Sequence, residues 1–100
     1  MNQKQALREA RARVRVFKIC GGWTVIKPWD RLKPNGASTE RQYSDYKRAR
    51  WAASVDIIDL ALAYLNQPSL SHELEYDWQH EPIGRVDRAL AYVIAQEVQS

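Results

Sequence analysis

Along this chain the period of polar and apolar positions changes at Ser44, and the change separates predicted strands from predicted helix. Before it, Val14, Val16, Phe17, Ile19, Trp23, Val25 and Ile26 are β-branched or aromatic residues of the kind that fits a pleated surface. Gly21-Gly22 divides them into two runs and supplies the positive φ of a tight turn, so residues 13–29 are predicted to form a β-hairpin. Alternation fails at Val16-Phe17, which leaves open a bulge or burial on both faces. Pro28, Pro34 and Asn35-Gly36 mark a loop, and residues 37–43 read as a short third strand. After Ser44, Tyr46, Ala49, Ala53, Ile57, Leu60 and Tyr64 recur at helical spacing, while Asp45, Arg48, Asp56, Asp59 and Asn66 fall on the other face. Ser44 or Asp45 suits the N-cap and Pro68 forbids continuation, which gives a helix over 45–66.

A further helix is expected over 82–98. Pro82 suits its first position, and Ile83, Val86, Leu90, Val93 and Ile94 form its stripe. The run DLALAYL at 59–65 is echoed by DRALAYV at 87–93, and alanines at matching places let two helices approach closely. Between them, residues 72–80 fit a strand or a helix equally well. Residues 1–12 read as a basic arm or helix: Lys4, Arg8, Arg11 and Arg15 stack on one face, and Leu7, Ala10 and Val14 give the other face little apolar area. The expected class is α+β in a single domain spanning 1–100, with strands in 13–43 and both helices, 45–66 and 82–98, packed on one face of the sheet.

Charge then changes the picture. Residues 1–50 hold thirteen Lys or Arg against four acids, a net of +9, whereas residues 51–100 hold two against eight, a net of −6. The overall +3 conceals a strong dipole, which speaks to partners and not to fold. An apolar share of 45% with 27% charged residues excludes wholesale disorder and places the chain among ordinary soluble domains. The longest apolar-leaning stretch, residues 57–65, is interrupted by Asp59 and is too short for a membrane span; no apolar region follows the basic N-terminus as in a signal peptide. A lone cysteine, Cys20, excludes an internal disulfide and fits a reducing, cytoplasmic setting.

Catalytic chemistry finds little support. Cys20 beside a glycine turn has no histidine near it in sequence to serve as its base, and reads as an incidental or buried strand cysteine. His72, Glu73, Asp77, His80 and Glu81 could offer metal ligands, yet their spacing matches no zinc pattern. Glu73 and Asp77 could be a glycosidase-type pair, but a domain of this size leaves little room for a sugar cleft. Phosphate loops and dinucleotide-binding turns are missing as well. The chain is therefore expected to be no enzyme, with no cofactor, no metal and no small-molecule substrate. The aromatics are more informative. Trp23, Trp29, Tyr43 and Tyr46 lie among Lys27, Arg31, Lys33, Arg41, Lys47 and Arg48, a mixture used by single-strand nucleic-acid surfaces and by protein hot spots alike. At least two of the four tryptophans are expected in the interior.

Residues 17–53, with Gly22-Trp23-Thr24-Val25, a polar loop and then QYSDYKRA at 42–49, resemble the strands and helix of arm-type integrase-like DNA-binding domains. That resemblance implies a sheet face entering the major groove, with contacts around Arg15, Lys27 and Arg41. The acidic stretch and helix after residue 66 depart from the pattern. In overall make-up the chain also looks like small prophage accessory proteins, anti-CRISPR inhibitors among them. The expected function is a small non-enzymatic accessory or inhibitor that docks on a protein or nucleoprotein partner through its basic half. The alternative is a DNA-binding domain using arm and sheet. Candidate contact residues are Lys4, Arg8, Arg11, Arg15, Trp23, Lys27, Trp29, Arg31, Lys33, Arg41, Lys47 and Arg48.

Overall fold

A computed structural model describes residues 1–68, in the order α1 (Gln3–Arg13), β1 (Arg15–Ile19), β2 (Gly22–Pro28), β3 (Ser38–Tyr43) and α2 (Tyr46–Tyr64). The class is α+β, as the change of period implied. The helix expected over 82–98, the open segment 72–80 and its candidate metal and carboxylate groups lie outside the described residues.

The three strands form one antiparallel sheet in sequence order. Arg15 faces Ile26 and Ile19 faces Gly22 without interruption, so Val16-Phe17 makes no bulge. Phe17 simply points to the open side of the sheet, opposite Thr24, while Val16 and Val25 face the helices. The turn sits one residue earlier than the glycine pair suggested. Cys20 and Gly21 form it, Gly21 alone takes a positive φ of 84°, and Gly22 is already the first residue of β2. The second glycine is needed for space, because a Cβ there would run into the carbonyl oxygen of Tyr43 on β3. Cys20 is consequently exposed at a turn and not a buried strand residue.

Residues 3–13 form a helix, one of the two forms expected of them, and it packs more firmly than its small apolar face implied. Asn2 opens it with a capping box: its Oδ1 accepts from the Gln5 amide at 2.8 Å, and the Gln5 Oε1 accepts from the Asn2 amide at 3.0 Å. Ala6, Leu7 and Ala10 are buried in one cluster with Ala49, Ala53, Ile57, Ile58, Ala61 and Leu62 of α2. Small side chains let the two helix backbones approach, so a narrow apolar face suffices to hold α1. Trp23 is half-buried against that core, and Trp29 and Trp51 are exposed; Trp78, the fourth tryptophan, lies outside the described residues.

Asp45 is the N-cap of α2, its carboxylate accepting from the Lys47 amide at 3.0 Å. The helix ends at Tyr64, with Asn66 beyond it at a φ of 57°. Asp56 and Asp59, which fall off the apolar stripe, are half-buried in ion pairs with the sheet and the β2–β3 loop. Helix stripes do not reveal which polar residues a neighbouring element will cover.

Candidate binding surface

Register sorts the sheet residues into two faces, since residues directly opposite each other share a side. Val16, Trp23, Val25 and Tyr43 pack against the helical core, and with them on that side go Lys18, Lys27, Thr39 and Arg41. The other side, the open one, is covered by no described element and carries Arg15, Phe17, Ile19, Thr24, Ile26, Glu40 and Gln42, with Thr24 buried between its neighbours. Arg15, Lys27 and Arg41 therefore do not lie on one face, as the resemblance to a groove-reading sheet implied. Phe17 is 43% exposed on the open side, where one cation and one carboxylate flank an apolar strip.

Three of the twelve candidate contact residues are engaged inside the fold. Trp23 lies 4.4 Å from Tyr46, ring centroid to centroid, and ties β2 to the first turn of α2. Lys27 pairs with Asp56 at 3.3 Å. Arg31 lies with Nε 3.4 Å from the Asp59 carboxylate and donates from Nη2 to the carbonyls of Asp59 and Gln67 at 3.0 and 3.4 Å. It thereby ties the β2–β3 loop to the last two turns of α2 and to the segment that follows them. Neighbouring cation–ring contacts, Arg13 over Tyr64 at 5.8 Å and Arg50 over Tyr46 at 5.3 Å, occupy two more arginines.

The remaining candidates are exposed. The side chains of Lys4, Arg8, Arg11, Arg15, Lys33, Arg41, Lys47 and Arg48, together with that of Lys18, make no hydrogen bond or ion pair among the described residues. The acids are mostly engaged. Glu9 binds Arg13 at 2.9 Å, Asp30 accepts from the Leu32 amide at 2.9 Å, Asp45 caps α2, and Asp56 and Asp59 meet Lys27 and Arg31. Glu40 alone among the acids of residues 1–68 has no such engagement. These residues hold thirteen cations against six acids, a net of +7, and the excess stands at the surface.

The exposed cations fall into two groups. Lys4, Arg8 and Arg11 form a ridge along α1, about 10 Å long at 1.5 Å per residue; Arg15 does not extend it, because α1 ends at Arg13 and Arg15 lies in β1 on the side of the sheet away from the helices. Arg13 donates to Asn35 of the β2–β3 loop at 3.2 Å, and it lies on the other side of α1 from the ridge, about 160° round from Arg11. Lys47 and Arg48 occupy the first turn of α2, beside the β1–β2 turn end of the sheet, where Trp23 faces both Lys18 and Tyr43. Cations there oppose the helix dipole, each costing about 0.3–1 kcal/mol. Their placement raises the surface potential at the expense of helix stability.

The β2–β3 loop contains the residue that sequence reading missed. Leu32 is 72% exposed, and Trp29 in the same loop is 75% exposed. The signal was present: one leucine inside a stretch bounded by Asp30, Pro34 and Asn35-Gly36 has no periodic partner to draw it into a core. A cleft of about 120 Å³ opens next to Trp29, between Pro28, Leu60 and the two ion pairs. Among the described residues no group of three or more His, Cys, Asp or Glu could hold a metal, and no helix is long and apolar enough to cross a membrane. No protein-family model, no curated protein and no solved structure matches this chain.

Proposed function

We propose that this chain is a small non-enzymatic binding protein, an accessory or inhibitor that docks on a nucleoprotein complex through its basic surface. The observation that carries the reading is the sorting of charge in residues 1–68. Carboxylates are consumed in caps, turns and ion pairs, while Lys4, Arg8, Arg11, Arg15, Lys33, Lys47 and Arg48 stand unneutralised. Such a surface attracts a polyanion and accelerates its encounter.

A second reading, a DNA-binding domain that inserts its sheet in the major groove, is favoured by the α1 ridge. Its sheet half has less support, because the open face bears Phe17, Ile19 and Ile26 with Glu40 among them. Phosphate and base edges call for donors there.

The test is retention of the partner on immobilised full-length protein, with and without nuclease, for wild type and Arg8→Glu/Arg11→Glu. Partner loss in the double variant, and a partner set that contains nucleic acid or depends on it, support docking on a nucleoprotein. Undiminished retention by the double variant would remove the basic ridge from the interface and overturn the reading.

A further inference from the structure

We infer that the open face of the sheet pairs with the same face of a second copy of this chain, in a two-fold arrangement that sets Arg15 of each copy against Glu40 of the other. The inference goes beyond the basic-surface reading and uses none of the α1 ridge.

Register builds the face. Arg15, Ile26 and Glu40 stand opposite one another across β1, β2 and β3 and form one row; Phe17, Thr24 and Gln42 form the next. Ile19 follows at the turn end of β1. Thr24, at the centre, is buried and its hydroxyl donates to the Arg41 carbonyl at 3.3 Å, so the middle of the face presents no unpaired hydroxyl. Exposed Phe17 with half-buried Ile19 and Ile26 makes the centre apolar, while Arg15, Glu40 and Gln42 stand at the edges. An apolar centre with a polar rim is how a protein-binding surface is composed.

Charge selects the occupant. Arg15 and Glu40 lie in one row on the two outer strands, two strand spacings or about 10 Å apart. Neither side chain has a hydrogen bond or ion pair among the described residues, and Glu40 is the one acid there of which this is true. A polyanion would meet a carboxylate and an apolar strip, and a wholly apolar partner would leave both charges unpaired. A second copy answers both. A two-fold axis lying along β2, midway between the paired sheets, carries β1 of one copy over β3 of the other. Arg15 then faces Glu40 twice, and Ile26 faces Ile26. Facing sheets pack about 10 Å apart, a gap that an arginine and a glutamate reaching toward each other can span. An axis across the strands would instead set β1 on β1 and β3 on β3, so that Arg15 never meets Glu40. The face is self-complementary in one orientation only.

Size sets the strength. The face is about 14 Å wide over three strands and about 17 Å long over the five residues of β1. Two such faces bury less than roughly 1,000 Å² together, the range of weak, reversible pairs. Half-association is expected at about 20–200 µM chain.

Sedimentation velocity of the full-length protein from about 5 to 500 µM tests the inference on wild type, Arg15→Glu, Glu40→Arg, an equimolar mixture of these two variants, and Arg8→Glu/Arg11→Glu. All four altered side chains are exposed, so the variants are expected to keep the wild-type far-ultraviolet dichroism and melting point. Wild type should shift from monomer to dimer across the series. Arg15→Glu and Glu40→Arg each set like charges at both contacts and should weaken association at least roughly tenfold. Their mixture should regain wild-type association to within about threefold, because each contact again holds one cation and one carboxylate. Arg8→Glu/Arg11→Glu should dimerise as wild type does. A mixture that associates no better than its components overturns the inference, as does a dimer lost in the ridge variant. Wild type that stays monomeric at about 500 µM overturns it too, whether residues 69–100 of the same chain cover the face or nothing does. None of these results decides the basic-surface reading, which stands or falls on partner retention by the ridge variant.

Discussion

The Lys27 ammonium stands 3.3 Å from the Asp56 carboxylate, joining the helix-facing side of β2 to the middle of α2. Burial raises the Asp56 pKa above its ordinary value of 3.8; the charge and hydrogen bond of Lys27 and the charge of Arg41 oppose the shift, and Asp59 adds to it. Folded Asp56 therefore holds its proton more tightly than the unfolded chain does. The ionised carboxylate weakens the fold above the raised pKa, and this contribution is gone below 3.8.

Asp56→Asn is accordingly expected to be as stable as wild type or more so at pH 7, with its advantage closing as the pH falls toward 4. Lys27→Met removes the nearer attraction and leaves burial opposed only by the charge of Arg41, with an expected loss of about 1–3 kcal/mol at pH 7 that shrinks on acidification. Urea unfolding of the three proteins between pH 4 and 7 checks both signs. An Asp56→Asn deficit that exceeds about 1 kcal/mol at pH 7 would show that the ion pair stabilises more than burial costs.

The adjacent glycines should fail for different reasons. Gly21→Ala places a side chain at positive φ, an expected loss of about 1–2 kcal/mol. Gly22→Ala forces a Cβ against the Tyr43 carbonyl and must push β3 away, with an expected loss of about 1–3 kcal/mol. Amide exchange distinguishes them: Gly22→Ala should deprotect the Trp23–Tyr43 end of the β2–β3 ladder, whereas Gly21→Ala should act on the β1–β2 turn.

If α1 is held by its narrow alanine face, Ala10→Leu should destabilise the protein by about 1–3 kcal/mol, because Ala10 is fully buried in the helical core cluster. Leu7→Ala should lose about 2–3 kcal/mol through the cavity it leaves. Arg8→Glu/Arg11→Glu, on the exposed face, should stay within about 0.5 kcal/mol of wild type in urea melts. Equal destabilisation by the charge reversals would mean that the ridge has a structural role.

Cys20 should react with iodoacetamide in the native protein, since the turn exposes it. Cys20→Ser should fold with stability within about 0.5 kcal/mol of wild type and keep partner binding. Loss of binding in a folded Cys20→Ser variant would assign the thiol a role that its surroundings do not suggest.

Much of the fold is written in local residue choice. The β-branched runs around the glycine pair, the proline-bounded loop and the helical spacing from Tyr46 to Tyr64 are properties of neighbours in sequence, and each element formed where its own side chains favour it. The excess of cations in the first half is likewise a sum over residues, indifferent to how they are arranged. Arrangement belongs to packing. Whether α1 is an arm or a helix of the core depends on Ala6 and Ala10 finding the alanines of α2, a match between segments some forty residues apart. Whether a lysine or arginine meets solvent or a carboxylate depends on which element covers it, which is why Lys27 and Arg31 hold Asp56 and Asp59 while Arg8 and Arg11 stay free. Trp29 and Leu32 are exposed for the same reason: their loop is closed by backbone hydrogen bonds and fastened by arginines from elsewhere, and those contacts exist only once the helices have met the sheet.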